Sequence, residues 1–199
     1  MRRGRTSGAL MRSLGALLAL PLGAPVLAAD LPQRMPAKGS VEVAFAPRDD
    51  AEGALLRAIE AARDAIYVQS YAFTSRQLAS ALVAASRRGV RVAVLADAQM
   101  NRRPKGNVLS RLVAAGIPVA LETEYAAAHN KVMVIDPHGA RPAVVTGSYN
   151  FTWSAAHRNA ENLLILRDNP VLAEAYLANW EHHRERATPV DRKLEPLAK

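Results

Sequence analysis

His129-Asn130-Lys131-Val132-Met133-Val134-Ile135-Asp136 sets an imidazole and an ammonium two residues apart at the head of an apolar run and a carboxylate at its end. Lys131 to Ile135 reads as a β-strand, and in an extended segment side chains two apart share a face, so His129 and Lys131 point the same way. Downstream stand Gly147-Ser148-Tyr149-Asn150-Phe151 and Glu161-Asn162. By the same parity Ser148 and Asn150 project together from the end of a strand over Ala143 to Thr146. If those two strands are neighbours, an imidazole is ringed by donors that suit phosphate oxygens.

Each residue type has a part in breaking a phosphodiester. An imidazole can attack phosphorus and split one difficult displacement into two easier ones. Lys131 supplies a compact charge for the non-bridging oxygens, and Ser148 and Asn150 supply neutral donors. A nucleophilic His129 must be neutral and in the correct tautomer, and Glu161 is the candidate acceptor for its far nitrogen. Asp136 completes the motif and is counted with the catalytic set, although its parity, opposite to Lys131, gives it a structural role at the strand end. His-x-Lys-x4-Asp alone arises by chance in on the order of one chain in a hundred; the added Gly-Ser-x-Asn-Phe and glutamate make coincidence a poor explanation.

Working outward, strand and helix patterns alternate. Val41 to Ala46 is a strand, Asp50 to Arg63 an amphipathic helix, and Ala65 to Phe73 a second strand. Thr74 or Ser75 caps a helix that runs to Arg88 and stops at Gly89. Val90 to Ala96 is a third, apolar strand, Asn107 to Ala115 a helix ended by Gly116, and Ile117 to Leu121 a fourth strand. Asn162 to Leu166 is another strand and Pro170 to about Arg186 a closing helix. The sum is an α/β fold: an α/β/α sandwich around a mixed sheet.

The chain has 199 residues, enough for one domain with a proper core. Residues 1 to 29 read as an export signal, with Arg2, Arg3, Arg5 and Arg12 before an apolar run from Leu14 to Leu27 and small residues at Ala28 and Ala29. A mobile lead-in (30 to 40), a single catalytic domain (41 to 188) and a frayed tail (189 to 199) follow, in an exported protein that is periplasmic or secreted. The signal holds four of the 26 basic residues and none of the 18 acidic ones, leaving 22 − 18 = +4 for the mature chain. Mild basicity suits a polyanionic substrate without requiring one. With no cysteine, disulfides and thiolate metal sites are excluded.

The motif set resembles the phospholipase D superfamily, in particular its small, exported, single-motif bacterial endonucleases. The resemblance runs from Val41 to Arg186 and includes Gln69-Ser70-Tyr71-Ala72-Phe73-Thr74, Arg88-Gly89-Val90, Gly116-Ile117-Pro118 and Asn159-Ala160-Glu161-Asn162. It implies a phosphohistidine intermediate at His129, phosphate binding by Lys131, Ser148 and Asn150, and orientation of His129 by Glu161. The loop His138 to Pro142 is longer than the resemblance leads one to expect and is placed at the rim of the site.

Relatives that hydrolyse lipids carry two copies of the motif. Here His138, His157, His182 and His183 all lack a lysine two positions later, so a homodimer sharing one composite site is expected to bring two His129 side chains together. No metal or other cofactor is needed in this scheme. Nucleic acid is the first expected substrate, phosphatidyl lipid the alternative, and a non-catalytic nucleic-acid or membrane-surface binding protein the reading from another class. The loop with Asn101, Arg102, Arg103, Lys105 and Gly106 is either a groove for a nucleic-acid backbone or a solvated surface. Phe73 and Phe151 are expected in the core, Tyr71, Tyr125 and Tyr149 near the site, and Trp153 and Trp180 as packing anchors. His157, His182 and His183 are expected on the surface.

Overall fold

The computed structural model describes Met1 and residues 32–102 and 108–196. Residues 2–29 of the expected export signal, and Arg103, Lys105 and Gly106 of the basic loop, lie outside the described residues. Every element below belongs to the unit Met35–Lys199. In chain order these are β1 (Ser40–Ala46), α1 (Ala51–Ala61), β2 (Ala65–Ser70), α2 (Arg76–Arg87), β3 (Arg91–Asp97), α3 (Ala98–Asn101), α4 (Leu109–Ala114), β4 (Val119–Glu122), β5 (Lys131–Ile135), β6 (Ala143–Gly147), α5 (Trp153–His157), β7 (Glu161–Arg167), α6 (Pro170–Arg186) and β8 (Thr188–Pro189). Helices start where side chains satisfy free N–H groups: Asp50 accepts from Gly53 at 2.9 Å, Ser75 from Leu78 at 3.2 Å and Asn169 from Leu172 at 3.2 Å.

The strands form one sheet in the order β1-β7-β6-β5-β2-β3-β4-β8. β2, β3 and β4 run parallel and the remaining pairings antiparallel, which makes the expected mixed sheet. Alternation along β5 sends Met133 and Ile135 to the layer of α1, α2 and α4, and Val132 and Val134 to α6. Met133 and Val134 are fully buried, and each such side chain contributes roughly 1.5–3 kcal/mol by leaving water. β5 is thus a rigid support for the polar residues at its head. On β1, Ala44 and Ala46 face the core, whereas the alternate Val41, Val43 and Phe45 are 62%, 50% and 48% exposed.

The structure corrects the sequence reading in several places. α3, α5 and β8 are too short to leave a periodic signal. Residues 189–196 are not a frayed tail: β8 pairs with β4, and Val190 and Leu194 are buried. Trp180 is the expected anchor, buried and donating its indole N–H to the Val68 carbonyl at 2.9 Å, but Trp153 is 59% exposed at the start of α5. Asn101 is not part of a solvated loop; it is buried, accepting from Phe73 N–H at 3.1 Å and donating to the Tyr71 carbonyl at 2.6 Å. His183 is not a plain surface residue, because its Nδ1 meets the buried Glu122 carboxylate at 2.5 Å. The loop His138 to Pro142 follows the far end of β5, so it does not touch the rim of the site.

Candidate active site

β5, β6 and β7 are successive antiparallel neighbours inside the sheet, so the start of β5, the end of β6 and the start of β7 meet at one end of its strands. His129 and Lys131 stand at this end of β5, Ser148 and Asn150 follow β6, and Glu161 opens β7. The register sets Lys131 level with Gly147, so it is the turn of the backbone at Gly147 and not strand parity that directs Ser148 and Asn150. The chain is pinned on both sides of His129: Ala128 N–H donates to the buried Asp97 carboxylate at 2.9 Å, and the Asn130 carbonyl accepts from Tyr71 N–H at 2.8 Å. Asp97 gave no signal in the sequence, since its role depends on a contact 31 residues away. On the other side Phe151 packs edge-on against Phe73 at 5.6 Å, and its carbonyl accepts from Thr74 and Ser75. That contact fixes the segment carrying Asn150.

Gly147 is what allows β6 to end against β7. Its φ is +143°, and a Cβ there would come within 2.3 Å of the Asn162 carbonyl oxygen. Gly147→Ala is therefore expected to displace Ser148 and to cut kcat by about a hundredfold through misplacement alone, as steady-state kinetics beside a melting curve would show.

His129 is exposed while Lys131, on the same strand face, is buried. The Lys131 ammonium donates to the His129 carbonyl at 2.6 Å and lies 2.8 Å from His129 Nδ1. Burial lowers the pKa of Lys131 from its ordinary value, and the charge of Glu161 opposes that shift. A charged lysine beside Nδ1 makes that nitrogen an acceptor, so the neutral ring carries its proton on Nε2 in this arrangement. Tyr71 closes the group: its ring centroid is 4.2 Å from that of His129 and 4.7 Å from Lys131 Nζ.

Glu161 accepts from Ser148 Oγ at 2.6 Å and from Asn159 Nδ2 at 3.0 Å, and makes no hydrogen bond to His129. Ser148 Oγ in turn accepts from Asn162 N–H at 3.0 Å and from Asn162 Nδ2 at 3.3 Å. The one hydroxyl hydrogen of Ser148 is thus committed to Glu161 rather than aimed at a phosphate. The Asn150 carbonyl accepts from Thr152 N–H at 2.7 Å, whereas its side-chain Oδ1 is buried without a partner, which leaves the side-chain amide uncommitted among the described residues. Tyr149 is core rather than rim: it is buried, and desolvation raises its pKa with Glu52, Asp50 and Glu161 adding to the shift.

Asp136 does not join the site. It lies five residues along β5 from Lys131, roughly 16 Å at the rise of an extended strand. Its carboxylate accepts from the backbone N–H groups of Arg63 at 2.8 Å, Asp64 at 2.7 Å and Ala65 at 2.9 Å. The catalytic reading of Asp136 is corrected on that geometry: it ties the α1–β2 turn to the far end of β5.

The mixed sheet and the sequence that carries these residues have counterparts in known proteins. The family model for the cardiolipin synthase, PLD-like domain matches residues 55–183. The chain belongs to the phospholipase D superfamily. It is therefore a hydrolase of the phosphodiesterase type, and the fold is that of the superfamily. Phospholipase D of Rickettsia prowazekii is 39% identical over 143 residues, covering 72% of this chain and 67% of the relative. Human mitochondrial cardiolipin hydrolase is 32% identical over 192 residues, covering 96% of this chain and 67% of the relative. The crystal structure of Nuc, a phospholipase D family member from Salmonella typhimurium, superposes with a TM-score of 0.72 at 31% identity, covering 76% of this chain and 98% of Nuc.

Proposed function

We propose that this phospholipase D superfamily member is an exported, metal-independent endonuclease that cleaves nucleic acid with little sequence preference through a covalent His129 intermediate. The observation that carries the reading is the exposed His129 held between Lys131 and Tyr71 at the head of β5, with the exposed Tyr125 on the preceding loop and the exposed Trp153 three residues after Asn150. Such a strand end offers a phosphate site, and exposed rings on the adjoining segments give bases a surface to stack on, at roughly 1–3 kcal/mol per stacked base.

In the proposed reaction a non-bridging phosphate oxygen draws the Lys131 ammonium away from Nδ1. The ring proton then passes through solvent from Nε2 to the vacated Nδ1, and the Nε2 lone pair attacks phosphorus. The P–O bond to the leaving group breaks as a second imidazole protonates that oxygen. Water, deprotonated by the same imidazole, then cleaves the P–N bond and frees His129. The second imidazole is His129 of another copy in a two-fold dimer. Sedimentation is expected to find the active species as a dimer; an active monomer would contradict this.

Supercoiled plasmid and single-stranded DNA, incubated with the mature protein in excess chelator, are expected to be cleaved at undiminished rate. Loss of cleavage that a divalent ion restores would overturn the mechanism. The second reading, hydrolysis of phosphatidyl lipids, is favoured by the exposed Val41, Val43 and Phe45 on β1, where Phe45 pairs with Asn162 beside the site, and by the lipid-acting names of the relatives. Turnover of phosphatidyl vesicles without any DNA cleavage would establish it.

A further inference from the structure

The geometry points to Tyr71 as a positioning residue for the phosphotransfer step, whose ring face holds the His129 imidazole in register and offsets the positive charge that builds between His129 and Lys131. This rests on the reading that His129 is the nucleophile, and goes beyond it by assigning work to a side chain outside the motif.

Tyr71 follows β2 directly, and its backbone is fixed at both polar groups. Its N–H donates to the Asn130 carbonyl at 2.8 Å, and its carbonyl accepts from Asn101 Nδ2 at 2.6 Å. The ring, half-buried, is tilted 53° from the imidazole plane at 4.2 Å between centroids. The Lys131 ammonium sits 4.7 Å from the same ring centroid. Tyr71, His129 and Lys131 therefore form a closed triangle whose third side is the 2.8 Å approach of Nζ to Nδ1.

That triangle matters most when His129 reacts. Attack on phosphorus turns a neutral imidazole into a cationic phosphoramidate a few ångströms from a lysine that has lost much of its water. Two like charges in a partly desolvated site repel strongly. Glu161 counters this on one side, but its oxygens are shared with Ser148 and Asn159. The negative face of the Tyr71 ring is the counterweight on the other side, and it strengthens as the imidazole gains charge. Because the benefit grows from ground state to transition state, it belongs in kcat rather than KM. The hydroxyl plays no part in these contacts, so phenylalanine should serve as well.

The test measures hydrolysis of bis-p-nitrophenyl phosphate by wild type, Tyr71→Phe, Tyr71→Leu and His129→Ala. Tyr71→Phe is expected within about twofold of wild type, and Tyr71→Leu to lose roughly tenfold in kcat with KM little changed. Wild-type kcat in Tyr71→Leu, or equal losses in the Phe and Leu variants, would overturn the assignment. Activity retained in His129→Ala would instead refute the nucleophile reading beneath it. If the Leu variant does not fold, the imidazole proton resonances of His129 decide in wild type alone. Displacement by the ring current of Tyr71 supports the contact, and ordinary positions contradict it.

Discussion

His129→Ala is expected to lower turnover by at least about a thousandfold, since it removes the covalent path and, in the proposed dimer, the acid–base group as well. The variant should fold normally, because the side chain is exposed and its place in the chain is held by backbone contacts at Ala128 and Asn130. Sharing of one site between two copies adds a quantitative signature. If each composite site needs His129 from both protomers, equal parts of wild type and His129→Ala, exchanged into mixed dimers, retain about a quarter of the wild-type activity rather than a half. A value near one half would mean that each chain works alone. It would also mean that another group protonates the leaving oxygen.

Asp136→Ala is expected to act on stability and spare the chemistry. The substitution strands the N–H groups of Arg63, Asp64 and Ala65, and places alanine at a position where φ is +47°. Charge-assisted hydrogen bonds and the left-handed backbone together make the cost about 3 kcal/mol. For a domain of this size that corresponds to a fall of roughly 10 °C in Tm. Asp136→Asn should cost less, because asparagine tolerates the positive φ and keeps one acceptor. Below the transition both variants are expected to turn over substrate within about twofold of wild type, since the carboxylate is roughly 16 Å of strand from Lys131. An inactive variant with unchanged Tm would restore Asp136 to the catalytic set.

The sandwich was legible because α1 and α2 are amphipathic and β5 carries a continuous apolar run between turn signals. Lys131–Ile135 and Pro170–Arg186 agree with the sequence reading at both ends, and Ser75 caps α2 as expected. β5 and β6 proved to be neighbours, as the sequence reading supposed, but their register sets Lys131 level with Gly147, so parity alone does not carry Ser148 and Asn150 to the face of Lys131. Parity did separate Asp136 from Lys131. What sequence could not disclose are relations between distant segments. Asp97 holding Ala128, Asn101 clamping Tyr71 and Phe73, and Tyr71 lying against His129 each join residues without a shared period. The partners of Glu161 fall in the same class. A glutamate on the next strand was readable, but its engagement with Ser148 and Asn159 depends on side-chain rotamers.

Trp153 shows a different limit. Tryptophan is buried on average, and nothing local marks this one as exposed; a five-residue helix capped by Thr152 turns it outward. The tail was misread for the related reason that Pro189 suggests an end to structure, whereas proline at a sheet edge is compatible with the pairing of β8 to β4.

The most direct test of the nucleophile is to mix the mature protein with substrate, quench within a single turnover under alkaline denaturing conditions that preserve P–N bonds, and map the adduct by mass spectrometry. A phosphoramidate on the peptide containing His129, formed before product release and missing from His129→Ala, is the expected result. Product formed in full during that turnover, with His129 unmodified throughout, would contradict covalent catalysis and require direct attack of water on the phosphodiester.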